Sequence, residues 1–167
     1  MIKIFGFLIL TLCGAYAGFL KSNQLKNRVD FFDKYIMFIT HIKVSVSFSS
    51  DILEEILRRV DVPYFDLYCE KISENLKNGA AFYDSWCDSL GALNKDGFLS
   101  NKDINLIKDF GKGLGTSGIS GQISCCELAS AKAEAAYKAY KEEYKNKSKL
   151  YKMLGAAAGV AVGLVMI

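Results

Sequence analysis

The stretch FGKGLGTSGISGQ (Phe110–Gln122) has two readings that lead to different folds. Within it, GLGTSG fits G-x-G-x-x-G, whose glycines let a backbone approach a dinucleotide's pyrophosphate. That reading needs a strand before the glycines, a helix opening on them, and an acidic residue about twenty positions on within a βαβ unit. The preceding residues are instead patterned for a helix. Ile104, Ile107, Phe110 and Leu114 share one side, while Asn105, Lys108, Asp109 and Lys112 share the other. Glu134 lies far enough on, but inside a long helical segment, and the phosphate-loop pattern G-x-x-x-x-G-K-S/T is absent. The glycines then have a structural task. Gly111 and Gly115 stand four apart on one face and admit a close neighbour, and Gly115 to Gly121 supply positive-φ conformations for a sharp reversal between helices. Phe110, Gly111, Leu114, Gly115 and Gln122 thus outline a helix corner.

Working outward from that corner, every remaining segment between the chain's ends also carries helical periodicity. In RVDFFDKYIMFITHIKVSVSF, Phe31, Tyr35, Phe38, Ile39, Ile42 and Val46 make one apolar face. SSDILEEILRRV offers Ser50 and Asp51 as caps, Glu54 in the first turn and Arg58-Arg59 in the last, which complements the helix dipole. Asp61-Val62-Pro63 breaks the chain and restarts it with proline at a first helical position. A third helix, with Leu67, Ile72 and Leu76 as burial candidates, ends at Gly79. A short fourth carries Phe82, Trp86 and Leu90 on one side, and Asn94 to Gly97 turn the chain. Ser100 to Asp103 resemble a capping box at the start of the fifth. The sixth runs from about Ile119 to Lys152 and is rich in alanine, lysine and glutamate. Its Tyr137, Tyr144 and Tyr151 stand a heptad apart with Tyr140 between the first two, a stripe suited to packing along another helix. No β-alternation occurs. The pattern predicts an all-α, antiparallel bundle of about six helices.

The ends differ in composition from this body. The chain has 167 residues, 51% of them hydrophobic, and enough of that apolar content is terminal to set the topology. IFGFLILTLCGAYAGFL (Ile4–Leu20) runs 17 residues without a charge, the lower edge of a membrane-spanning helix. MLGAAAGVAVGLVMI (Met153–Ile167) is also uncharged, but at ~1.5 Å per residue it covers only about 22 Å, so it needs a thinned bilayer or a packed partner helix. A cleaved signal peptide competes for the first stretch, with Lys3 before it and Ala15-Tyr16-Ala17 as a cleavage-like site. Charge placement favours two anchors. Lys21, Lys26 and Arg28 follow the first, and Lys145, Lys147, Lys149 and Lys152 precede the second, as expected if both flanks face the cytoplasm. The expected organisation is an N-terminal membrane anchor over 1–21, a cytoplasmic helical-bundle domain over 22–152, and a short C-terminal hydrophobic membrane segment over 153–167.

The overall charge of +3 belongs to these flanks, because residues 35–134 hold 10 Lys/Arg against 14 Asp/Glu, a net of −4. A mildly acidic body argues against a nucleic-acid surface. Gly14 and Gly18 in the first anchor, and Gly155, Gly159 and Gly163 in the second, repeat every four residues, the spacing that lets membrane helices pack closely. Five cysteines, Cys13, Cys69, Cys87, Cys125 and Cys126, contain no C-x-x-C and leave one over, so no disulfide framework is expected. The only histidine is His41, with no metal-ligand partner and no nucleophile to serve. No cofactor, metal or catalytic residue is expected.

These residues together carry a family resemblance. Phe110-Gly111, Leu114-Gly115 and Gln122, then a long charged helix, Lys152-Met153-Leu154-Gly155 opening the last apolar segment, and Ala17-Gly18-Phe19 in the first, resemble the stage III sporulation protein AB family over nearly the full length. The family usually has charged residues after the LG, often an aspartate, where this chain has Thr116-Ser117-Gly118, so only the turn is expected to be shared. The resemblance implies a protein of an endospore-forming bacterium, in the mother-cell membrane around the forespore and part of a secretion-like channel. It further implies a cytoplasmic domain similar to the helical F domain of type II secretion and type IV pilus systems. The implied partner is the secretion-type ATPase, stage III sporulation protein AA, together with other channel proteins, and a homo-oligomer is possible. The competing functions are a general secretion or pilus platform and, least favoured, a nucleotide-binding enzyme.

Overall fold

The computed structural model describes residues 2–48, 52–114 and 118–165. Of the terminal helices, the side chains of residues 2–8, 10, 11, 156, 159 and 162–165 lie outside those described. The elements are α1 (Ile2–Phe48), α2 (Leu53–Arg58), α3 (Asp66–Lys77), α4 (Phe82–Asp88) running into a 3-10 turn (Ser89–Ala92), α5 (Asn101–Leu114) and α6 (Ile119–Val165). Among the described residues there is no strand. The chain divides into two compact units, Asp30–Tyr137 and the pair of segments Met1–Val29 and Lys138–Ile167.

The Asp30–Tyr137 unit is built around aromatic rings. Phe31, Tyr35, Phe38, Ile39, Ile42 and Val46 of α1 are all buried, as their spacing predicts, and Phe32 is buried beside them. Phe38 stacks on Phe65 with centroids 4.2 Å apart. Trp86 meets Tyr68 and Phe110 edge-on at 5.2 and 5.8 Å. Each such pair adds about 0.5–1.5 kcal/mol beyond area burial. Trp86 is fixed in this cluster by its ring nitrogen, which donates to the Ile107 carbonyl at 2.9 Å, while its own carbonyl accepts from the Tyr68 hydroxyl at 3.0 Å.

The connections follow local chemistry, with three departures from the sequence reading. Ser100 and Asp103 form the capping box of α5: the Ser100 backbone N–H donates to the Asp103 carboxylate at 2.8 Å, and the Asp103 N–H points back to Ser100 Oγ at 3.4 Å. Asn94 closes the loop leading into α5 by accepting the Leu99 N–H at 2.9 Å. Gly79 adopts φ +85° just past the end of α3, where its N–H donates to the Leu76 carbonyl at 3.0 Å. The first departure is at α2, whose N-cap is Ile52 with no side-chain cap; Ser50 and Asp51 lie outside the described residues. The second is Pro63, which does not open a helix. The Phe65 N–H donates to the Val62 carbonyl at 2.9 Å, so Pro63 and Tyr64 are the centre of a turn, and Tyr64 takes φ +76° there. That left-handed conformation strains a tyrosine. It is held by the Tyr64 hydroxyl on Asp30 at 2.9 Å and by the ring's edge contacts with Phe31 and Phe98. The third is α3, which buries Tyr68, Cys69, Ile72 and Ser73, half-buries Leu76 and leaves Leu67 exposed.

Burial also sets an alkaline limit. It pushes the thiols of Cys69 and Cys126 from 9.0 up to about 12, with a smaller push from Asp66 on the first and Cys125 on the second. Burial, followed by the hydrogen bond to Asp30, raises Tyr64 from 10.0 to about 12, and burial lifts Tyr35 and Tyr68 well above 10.0. The folded state thus prefers the protonated forms. Their contribution is complete below the unfolded values and is lost as pH climbs through the folded ones. The denaturant midpoint is expected to hold steady to about pH 9 and then fall progressively toward pH 12. Far-ultraviolet circular dichroism across that range checks it, and a midpoint level to pH 12 would contradict the burial assigned to these groups.

The other unit contains the first part of α1 and the last part of α6, side by side. Leu25 and Ser22 are buried, and Ser22 Oγ lies 2.6 Å from Ser148 Oγ. Among the described residues no helix is long and apolar enough to cross a membrane. Much of the apolar stretch at each end lies outside the described side chains. Helix runs through both stretches, from Ile2 on one side and to Val165 on the other.

Candidate functional site

Two places gather the residues singled out by spacing, one in each unit. In the Asp30–Tyr137 unit, α5 carries Phe110, Gly111 and Leu114, all buried. A Cβ on Gly111 would fall 2.5 Å from Trp86 Cγ and closer still to two other indole atoms, so the absent side chain is what seats the tryptophan. A Cβ on Gly113 would overlap Cys125 Sγ, and that thiol points at the Phe110 carbonyl at 3.7 Å. Gln122 is half-buried in the first turn of α6, its N–H donating to the Gly118 carbonyl at 3.0 Å. Gly115 lies outside the described residues. GLGTSG is entered from a helix, since α5 runs to Leu114 and contains Gly113, and the strand required by a dinucleotide fold is not among the described residues. The Trp86 and Cys125 contacts were not foreseen. A tryptophan with a glycine one helix away has no sequence spacing to reveal it.

In the other unit, Gly14, Gly18 and Gly155 come together. A Cβ on Gly18 would meet the Tyr151 carbonyl oxygen and lie 3.1 Å from Gly155 Cα. A Cβ on Gly155 would lie 2.5 Å from the Gly14 carbonyl oxygen and 2.9 Å from Gly18 Cα. The obstacles are backbone atoms, which cannot swing aside. Nothing is described at Gly159 and Gly163 beyond their helical backbone.

Farther along the same pair, Arg28 sits over the Tyr140 ring at 4.0 Å from its centroid, with Nη2 3.1 Å from the phenol oxygen. Lys152 lies 5.9 Å from the Phe19 ring centre. Lys147 pairs with Glu143 at 2.9 Å. Lys21, Lys26, Lys145, Lys149 and Lys152 are exposed. Of the tyrosine stripe, Tyr140, Tyr144 and Tyr151 are half-buried here, as is Tyr137 in the other unit. Among the described residues no group of three His, Cys, Asp or Glu is placed to hold a metal ion. The cysteines are free, and the Nε2 of His41 is buried without a partner.

What these features define is an all-helical protein whose longest helices, α1 and α6, pair through glycine near their apolar ends. The chain belongs to the stage III sporulation protein AB family, whose model matches residues 3–167. Neither a curated protein nor a solved structure matches it. The family is one of sporulation proteins, as the FG, LG and KMLG residues imply.

Proposed function

We propose that this chain is a non-enzymatic membrane platform of a sporulation-specific channel between mother cell and forespore, where it docks a cytosolic ATPase, stage III sporulation protein AA. The observation that carries the reading is the glycine seam. Gly14, Gly18 and Gly155 bring two helices into backbone contact within segments that are apolar and flanked by lysines. Such contact drives helix association in lipid, where the hydrophobic effect supplies no attraction between apolar helices. Basic flanks on both segments favour a cytoplasmic body, where an ATPase reaches it. The body's net charge of −4 over residues 35–134 suits a basic protein partner.

Two measurements test the reading. Affinity-tagged chain extracted from sporulating cells is expected to retain the ATPase through washing. In intact cells, protease added outside is expected to leave the Asp30–Tyr137 unit uncut. A freely soluble mature chain, or a body digested from outside, would overturn it.

A further inference from the structure

The charges of this chain are divided between its two units. Residues 1–29 and 138–167 hold 10 Lys/Arg against 2 Asp/Glu, a net of +8, while residues 30–137 hold 11 against 16, a net of −5. The two acids of the basic unit are Glu142 and Glu143. From Tyr144 to Ile167, and over residues 1–29, the sequence has no carboxylate side chain.

Two columns of exposed side chains run along the paired helices of that unit. On α1, Leu12, Phe19 and Lys26 stand seven residues apart, so they share one face at steps of about 10 Å, apolar first and basic last. On α6, Lys145 and Lys152 are also seven apart, with Lys149 between them. Lys152 Nζ lies 5.9 Å from the centre of the Phe19 ring, which sets the two columns side by side. The Ser22–Ser148 contact at 2.6 Å fixes their level: Lys149 and Lys152 flank the last turn of the uncharged stretch that ends at Leu20. Leu12 and Phe19 are 61% and 52% exposed, so both are open to a ligand. Elsewhere in the unit Lys147 is held by Glu143 at 2.9 Å and Arg28 by the Tyr140 ring, whereas Lys145, Lys149 and Lys152 stay exposed.

We infer that this face binds an anionic phospholipid, its phosphate against Lys149 and Lys152 and an acyl chain along Phe19 and Leu12. A free anion would use the lysines alone. A ligand that also covers the two apolar side chains carries its charge at the head of an apolar tail. Lys145 and Lys26, farther from the apolar end, extend the positive field over the rest of the headgroup. Lysine suits the task because its apolar stem lies along the helix while its ammonium reaches headgroup level. A zwitterionic lipid brings a cation beside its phosphate, and the lysines repel it.

The inference rests on the membrane part of the platform reading and adds which lipid that part selects. The full chain is reconstituted in phosphatidylcholine vesicles with a trace of spin-labelled phosphatidylglycerol or spin-labelled phosphatidylcholine. Electron spin resonance then reads the fraction of each label slowed by the protein. Phosphatidylglycerol is expected to be preferred at least about fivefold, the effect of a single lysine close to an anionic group. Lys145→Gln/Lys149→Gln/Lys152→Gln, all at exposed positions, is expected to remove most of that preference with helix content unchanged by circular dichroism. Lys147→Gln, whose lysine Glu143 already holds, should leave it intact. A preference unmoved by the triple variant, or lowered as far by Lys147→Gln, would overturn the inference. So would its loss to inorganic phosphate or a polyglutamate peptide where sodium chloride at equal ionic strength leaves it, since the face would then take a free anion or an acidic protein. If both labels are slowed equally, the lipid choice falls and the membrane reading stands; if neither is slowed, the chain is not in the bilayer and both fall.

Discussion

Replacing Gly111 with alanine is expected to cost the Asp30–Tyr137 unit about 3–5 kcal/mol, enough to unfold much of the population. One methyl group ordinarily stabilises a helix interior by up to about 1 kcal/mol relative to glycine. Here the methyl would occupy space held by the Trp86 ring, with Cγ only 2.5 Å from the new Cβ. The indole cannot retreat. It is wholly buried, wedged among Tyr68, Phe82 and Phe110, and tied by its N–H to the Ile107 carbonyl on the same helix as Gly111. Moving it breaks that hydrogen bond and leaves a buried donor unsatisfied, about 1–3 kcal/mol on top of the overpacking.

The expected readout is collapse of the near-ultraviolet tryptophan signal and a fall in denaturant midpoint. Gly91→Ala, where a Cβ meets nothing within 4 Å, should leave both unchanged. The mechanism also predicts a change of sign. In a Trp86→Leu background the obstacle is gone, and Gly111→Ala should be neutral or mildly stabilising. A similar loss in both backgrounds would mean that Gly111 acts through something other than the indole.

The helical class and the α5 capping box were legible because they depend on neighbours within a turn or two. The face of α1 was legible because six buried residues, Phe31, Tyr35, Phe38, Ile39, Ile42 and Val46, repeat at helical spacing in one uninterrupted element. The face of α3 was less so. Leucines at 67 and 76 outrank Tyr68 and Cys69 in a hydrophobic reading, yet α3, entered from the turn at Pro63-Tyr64, buries Tyr68 and Cys69 and leaves Leu67 exposed and Leu76 half-buried. That turn was missed because proline suits both a helix start and the second position of a turn. A tyrosine at φ +76° is bound by tertiary contacts with Asp30, Phe31 and Phe98 that no local pattern encodes.

Replacing Gly155 with leucine is expected to separate the paired ends of α1 and α6. The spacing of Gly14, Gly18 and Gly155 suggested close approach, and the geometry identifies what each glycine faces: Gly155 lies against the Gly14 carbonyl oxygen and Gly18 Cα. A side chain there displaces backbone rather than a flexible tip, so the helices must part or rotate, at a cost of about 3 kcal/mol or roughly a hundredfold in pairing. The nearby Ser22 and Ser148 hydroxyls, 2.6 Å apart, supply the reporter. With Cys13→Ser to remove the exposed thiol of that unit, Ser22→Cys/Ser148→Cys is expected to oxidise readily to a disulfide in nanodiscs. Adding Gly155→Leu should slow that reaction by about two powers of ten. Ala157→Leu, on an exposed position of the same helix, should not. A rate unmoved by Gly155→Leu would show that the two helices are held by something other than their glycines, and the observation carrying the platform reading would go with it.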